Sequence, residues 1–181
     1  MTPGDPDLPP GDGSLIIAAP SATLEHLQRR ADELGSTPLF TDEVIPALYA
    51  AALHYGIDPT VMVAQSAHET GFAKFGRAVT PEHHNTCGLK VKRPVGPDDN
   101  PDDHMRFPDW LTGAKAHAQH LLAYASVPLP PGEPDLDPRA VWVRPHDYGI
   151  TRMRQLGGHW APSPTYGNRV EDMARRLLEE V

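Results

Sequence analysis

Proline placement constrains this chain more than any other feature. The 21 prolines concentrate in Thr2 to Pro10, Pro94 to Pro101 and Pro128 to Pro138. Each proline fixes φ and removes a backbone donor, so these stretches are tail or loop, and regular structure belongs between them. The intervening segments carry helix signals. Leu24, Leu27, Ala31 and Leu34 recur at helical spacing, which predicts a helix from about Ser21 to Leu34, stopped by Gly35. A second helix is expected to start at Thr41 as its cap, with Asp42 and Glu43 favourable against the dipole, and to stop at Gly56. Asp58-Pro59 pairs a cap with proline at the first helical position. It opens a third helix that carries Gln65 and ends near Gly71, leaving Glu69 and Thr70 in or just past its last turn.

Downstream, Asp109 caps a predicted helix from Trp110 to Tyr124, with Leu111, Ala114, Ala118, Leu121 and Leu122 inward. Asp137-Pro138 begins a short helix through Val141 and Trp142. A last helix runs from about Tyr166 to Glu179, with Val170, Met173 and Leu177 on one face. Cys87 to Lys92 and His104 to Phe107 read as two short strands of an irregular hairpin lobe around the Pro/Gly/Asp-rich Arg93 to Asp103. The expected fold class is α+β, mostly α, a helical domain with a small β-hairpin lobe and a cleft between them. Residues 1–13 are expected to form a disordered leader, residues 14–181 one domain, and Leu15 to Ala19 a docking segment.

Charge narrows the partners. A formal net charge of −8 and a pI near 5.6 argue against nucleic-acid binding and against simple electrostatic capture by anionic membranes or wall polymers. One cysteine, Cys87, excludes an internal disulfide framework. No apolar run is long enough to insert into a membrane. The first residues lack the basic and apolar regions of a signal peptide. With no such signal, the expectation is cytoplasmic accumulation with separate release, or external delivery.

The stretch from Ala64 to Gly76 reads Ala-Gln-Ser-Ala-His-Glu-Thr-Gly-Phe-Ala-Lys-Phe-Gly, followed by Asn85-Thr86-Cys87-Gly88-Leu89-Lys90. These blocks resemble the glucosaminidase family (glycoside hydrolase family 73), whose pattern is a helix ending in Gln-x-x-x-Glu-(Thr/Ser)-Gly and then Asn-x-x-Gly-(Ile/Leu)-Lys. Met105 to Tyr124 and Gly158 to Val170 extend the resemblance, so it covers roughly Leu15 to the C-terminus. It is nearest to the glucosaminidase domains of phage lysins and wall-associated bacterial proteins. It implies a lysozyme-like fold, a peptidoglycan glycan strand as partner, and Glu69 as the catalytic acid. No cofactor, metal or obligate protein partner is implied.

Physics supports Glu69 independently. Breaking a glycosidic bond requires protonation of a poor leaving group. A carboxyl at a helix C-terminus beside apolar Phe72 or Phe75 has its pKa raised by burial and by the dipole. The resemblance implies that Asn85 lies in the substrate groove near Glu69, where its amide can hold a sugar hydroxyl or acetamido carbonyl; the other reading is a turn cap before Gly88. Trp160 and Tyr166 stack on sugar faces or shape the cleft wall; Phe72 and His117 complete the expected substrate-binding set. Where the family usually has Tyr-Ala-Thr-Asp, this chain has Trp160-Ala161-Pro162-Ser163, which removes a hydroxyl and a carboxylate. Asp98, Asp99, Asp102 and Asp103 are the acidic candidates in the lobe. Asp102 and Asp103, nearer the returning strand, are better placed to face the cleft than the other two; Asp103 joins Glu69 as a candidate catalytic residue, although substrate assistance makes a protein nucleophile dispensable. His117 and His120, three apart on one helix face, are either zinc ligands needing partners elsewhere or buried histidines bonded to protein.

The leading expectation is hydrolysis of the β-1,4 bond after N-acetylglucosamine. The rivals are a muramidase or lytic transglycosylase, a zinc-dependent amidase or peptidase, and an inactive wall-binding module.

Overall fold

The structure, a computed structural model, describes residues 13–93, 96 and 100–179. The expected leader lies outside the described residues except for Gly13. Among the described residues six α-helices follow one another: α1 (Leu24–Glu33), α2 (Ile45–Tyr55), α3 (Pro59–Thr70), α4 (Trp110–Tyr124), α5 (Ala140–Val143) and α6 (Tyr166–Leu178). The expected mostly helical design is the observed one. No helix among the described residues is long and apolar enough to cross a membrane.

Local chemistry sets the ends of α3 and α4. The Asp58 carboxylate accepts from Thr60 N at 2.9 Å, and Gly71 closes α3 in the left-handed region at φ 60°. Asp109 accepts from Thr112 N at 2.7 Å to open α4. The second helix begins earlier than Thr41. Thr37 Oγ1 accepts from Phe40 N at 3.2 Å, and a π-helical turn over Phe40–Val44 leads into α2. Thr41 turns away from the cap role and pairs with Ser36 Oγ at 2.7 Å. Leu111, expected inward, is exposed, and Trp110 is buried in its place.

α3 lies between α2 and α6, and α4 packs on α2. The core between them holds Leu27, Phe40, Ile45, Leu48, Met62, Leu121, Leu122 and Leu177, all within 1% of full burial. Removing apolar surface on this scale from water is the main driving force for the helical body. Leu15 to Ala19 docks as expected. Ile16 is fully buried, and Leu15 and Ile17 make isolated antiparallel bridges to Arg152 and Ile57.

The lobe is less regular than two strands. Among the described residues its β structure is a single antiparallel bridge, Lys90 with His104. Val91 N donating to Asp103 O at 2.9 Å and Met105 N donating to Leu89 O at 2.8 Å flank it. A small cluster of Cys87, Leu89, Phe107 and Ala116 ties the lobe to α4. Its neck is closed by Phe107 N donating to His83 O and by the His84 ring donating from Nδ1 to Phe107 O at 2.9 Å. The neck rests on Gly113 of α4, where a Cβ would stand 1.8 Å from His84 O.

Candidate active site

Helical geometry places Gln65 and Glu69, four residues apart, on one face of α3. That face looks toward α6 and the lobe. Glu69 Oε1 accepts two hydrogen bonds, from Tyr166 Oη at 2.5 Å and from Trp160 Nε1 at 3.1 Å. Trp160 stands where the resemblance implied a lost tyrosine hydroxyl, and its indole N–H puts a donor at that position. Oε2 has no hydrogen-bond partner among the described residues, so a proton bound to this carboxyl belongs on Oε2.

Glu69 is exposed by accessible area, yet protein crowds its carboxyl on all but the cleft side. Crowding matters more for ionisation, because water on one face does not restore full hydration. Desolvation therefore raises its pKa above the ordinary glutamate value, while the bonds from Tyr166 and then Trp160 pull it back. The net direction is upward, as an acid working near neutral pH requires.

Behind Oε1 runs a buried chain of hydrogen bonds. Gln65 Nε2 donates to Tyr166 Oη at 2.8 Å, Gln65 Oε1 meets His117 Nε2 at 2.9 Å, and His117 Nδ1 meets Thr86 Oγ1 at 3.1 Å. Burial lowers the His117 pKa to about 3, with His120 adding to the shift, so the ring is neutral. The amide oxygen of Gln65 can only accept, which puts the imidazole proton on Nε2 and leaves Nδ1 to accept from Thr86. Gln65 Nε2 can only donate, so the tyrosine proton points at Glu69. Every polar atom along this path has a fixed direction.

The cleft extends from Glu69 to both sides. One half, about 390 Å³, continues past Leu89, Tyr124, Trp142, Tyr148 and Trp160. The other, about 380 Å³, continues past Phe75, Arg77, Val79 and His104. Glu69, Cys87, Gly88 and Lys90 line both. Burial pushes the Cys87 thiol well up, so it stays protonated and serves as packing. Glu69 is the one carboxylate lining either half among the described residues, whereas Lys90, Arg139 and Arg77 all line it.

Of the residues singled out in the sequence, Glu69, Trp160 and Tyr166 come together. Tyr166 is 97% buried and acts through its hydroxyl on Glu69; it lines neither half of the cleft, so it is not a stacking surface. His117 is fully buried and reaches Glu69 only through Gln65 and Tyr166, which corrects its expected contact with substrate. Asn85 is also fully buried. Its Nδ2 donates to Leu89 O at 2.8 Å and Met105 O at 3.1 Å, and its Oδ1 accepts from Leu89 N at 2.9 Å. The amide is used up in folding the lobe, so the turn role holds and the groove role does not.

Phe72 packs edge-on against Phe40 at 5.5 Å in the core and lines neither half of the cleft, so it does not bind substrate; Phe75 is the aromatic that faces it. Asp103 is 98% buried, and its Oδ2 accepts from Gly96 N at 2.5 Å inside the lobe. It lines neither half of the cleft. Asp102 is exposed, and Asp98 and Asp99 lie outside the described residues. His120 does not join His117: its Nδ1 bonds Asp137 Oδ2 at 2.7 Å. Sequence reasoning gave no role to Gln65, although its i,i+4 spacing from Glu69 was the available signal. It also missed Arg139 and Tyr148, which lie in irregular segments without periodicity.

Residues 45–179 match the glucosaminidase family, described as mannosyl-glycoprotein endo-beta-N-acetylglucosaminidase. The chain therefore belongs to that family, and its class is glycoside hydrolase. It is 31% identical over 172 residues to an uncharacterized protein of Borreliella burgdorferi, a match spanning 91% of this chain and 78% of that protein. Among solved structures it is similar to the catalytic domain of the autolysin Auto from Listeria monocytogenes. That likeness has a TM-score of 0.49 and 17% identity, and covers 88% of this chain and 97% of that one.

Proposed function

We propose that the protein is a peptidoglycan hydrolase that cuts within the glycan strand, at the β-1,4 bond on the reducing side of N-acetylglucosamine. The observation that carries this reading is the asymmetry of Glu69: one oxygen is held by two donors, and the other faces a cleft that continues on both sides. A cleft open past the acid in two directions suits an internal cut. Family membership supports the type of bond. The cations along the cleft favour a carboxylate-bearing glycan over a neutral one, in a chain whose overall charge is −8. The site of action is accordingly the bacterial wall.

With Glu69 as the sole carboxylate lining the described cleft, the chemistry is substrate-assisted. The 2-acetamido oxygen attacks the anomeric carbon as the glycosidic C–O bond breaks. The departing oxygen takes the proton from Glu69 Oε2, leaving a cyclic oxazolinium ion. Water then adds to the anomeric carbon and gives a proton to the Glu69 carboxylate. The ring opens, and the starting state returns. Tyr166 and Trp160 keep Oε1 occupied throughout, so both proton transfers use Oε2.

Digestion of purified peptidoglycan, reduction of the products and mass spectrometry test this directly. Reduced glucosamine ends are expected. Reduced muramic acid or anhydro ends would move the cut to the other bond, freed peptides would mean an amidase, and no product would end the reading.

A further inference from the structure

We propose that Trp142, Tyr148 and Arg139 form a distal subsite for a pyranose that carries a carboxylate, at the far end of the 390 Å³ half of the cleft. The proposal rests on reading the cleft as a glycan groove. None of the three belongs to the blocks around Glu69.

An aromatic series leads outward from the acid. Trp160, bonded to Glu69, has its ring centroid 5.8 Å from Tyr124. Tyr124 is 5.7 Å from Tyr148, and Tyr148 is braced by His159 at 4.7 Å and stacked on His146 at 5.0 Å. Tyr148 is thus held on two sides while 38% of it stays exposed.

Trp142 is the second wall. Its neighbours in α5, Ala140 and Val143, are buried, but Trp142 is 50% exposed. Its Nε1 reaches the lobe and donates to Lys92 O at 3.3 Å. A large ring that is anchored by its edge and left open on its face is poor core design and good sugar-face design, because pyranose C–H groups pack on aromatic faces.

Arg139 supplies the charge. Its backbone N donates to Asp137, but its guanidinium makes no hydrogen bond or ion pair among the described residues. It lines a cleft half whose one carboxylate is Glu69. A guanidinium matches a carboxylate with two parallel donors. Two aromatic walls beside that fork fit an N-acetylated pyranose with a carboxylate-bearing ether, the muramoyl unit of a glycan strand whose stem peptide has been removed.

Binding to full-length Glu69→Gln protein tests the proposal without cleavage. The probes are a peptide-free tetrasaccharide of alternating N-acetylglucosamine and N-acetylmuramic acid, and neutral chitotetraose. Tighter binding of the muramoyl probe is expected, with a preference that shrinks as salt rises. Adding Arg139→Gln should weaken the muramoyl probe about fivefold more than chitotetraose. Trp142→Ala should weaken both probes about equally, by roughly five- to tenfold, and Trp142→Phe should restore most of the loss. Thermal melts on each variant separate binding loss from unfolding. Equal binding of the two probes, or equal weakening of both by Arg139→Gln, overturns the subsite but leaves the glycan reading intact. Failure of Glu69→Gln to bind either probe overturns both.

Discussion

Behind Glu69, three helices meet through a run of neutral, direction-fixed hydrogen bonds, from Thr86 through His117 and Gln65 to Tyr166. In front of it, the lobe has one β-bridge among the described residues and buries Cys87, Leu89 and Phe107 against Ala116 of α4. Asn85 and Asp103 stitch that lobe together through its own backbone amides. The wall fixes where the proton sits, and the lobe fixes only where the substrate can lie. Precision in this protein is concentrated on the side of the acid that the substrate never reaches.

Removing the acid breaks the comparison most severely. Glu69→Gln is expected to lower hydrolysis by about 10²–10⁴-fold, the usual worth of general acid catalysis, with little change in Tm. A variant with near wild-type turnover of peptidoglycan would remove Glu69 from its role.

Tyr166→Phe comes next. It strips one donor from Glu69 Oε1 and leaves Gln65 Nε2 without its acceptor, an unsatisfied buried group costing about 1–3 kcal/mol. The Tyr166 bond lowers the Glu69 pKa, so its loss raises that pKa. A general acid must be protonated, so the alkaline limb of the kcat profile should move to higher pH while kcat falls roughly tenfold or more. An unmoved limb would uncouple the wall from the acid.

His117 gives a pH test of stability. Its folded pKa of about 3 lies below the value of 6.5 for an unperturbed ring. The unfolded chain therefore binds the proton first. The contribution is complete above pH 6.5 and is lost as pH falls toward 3, with a limiting slope of about 1.4 kcal/mol per pH unit. His117→Asn should flatten denaturant-midpoint curves in that window; parallel curves would mean that the ring is not buried neutral.

The lobe should respond least. Asp103→Asn keeps an acceptor for Gly96 N, so kcat/KM should change only severalfold, chiefly through KM, with a stability loss of about 1 kcal/mol. A loss matching Glu69→Gln would make Asp103 a catalytic carboxylate and sink the substrate-assisted route.

This contrast also explains what was legible in the sequence. The helices of the wall announce themselves through Asp58-Pro59, Gly71 and Asp109, since caps act within one turn. Thr37 was hidden because Thr41-Asp42-Glu43 imitates a better start, and only the packing of Phe40 shows the chain already helical there. Glu69 stood out as the candidate acid from its block, and Trp160, Tyr166 and His117 as its neighbours, but the bonds by which they support it were not readable. His117 is 52 residues from Gln65, and Tyr166 is 97 from Glu69, and spacing carries no information over such separations. Asn85 and Asp103 were misplaced for a related reason. A polar side chain in an irregular loop has as many partners in its own backbone as in a substrate, and burial decides between them.

Gly113 has a further consequence. Its missing methyl lets the His84 carbonyl and the Phe107 ring, the two ends of the lobe's neck, rest against α4. Contact with a helix backbone is a hard stop in one direction and no restraint in the other. The lobe is therefore bounded on the inward side by backbone, and held on the outward side by the softer apolar contacts of Cys87, Leu89 and Phe107 with Ala116 of α4. The closest approach of lobe and helix is thus set by a backbone contact, so the lobe needs no occupant of the cleft to keep it from collapsing inward.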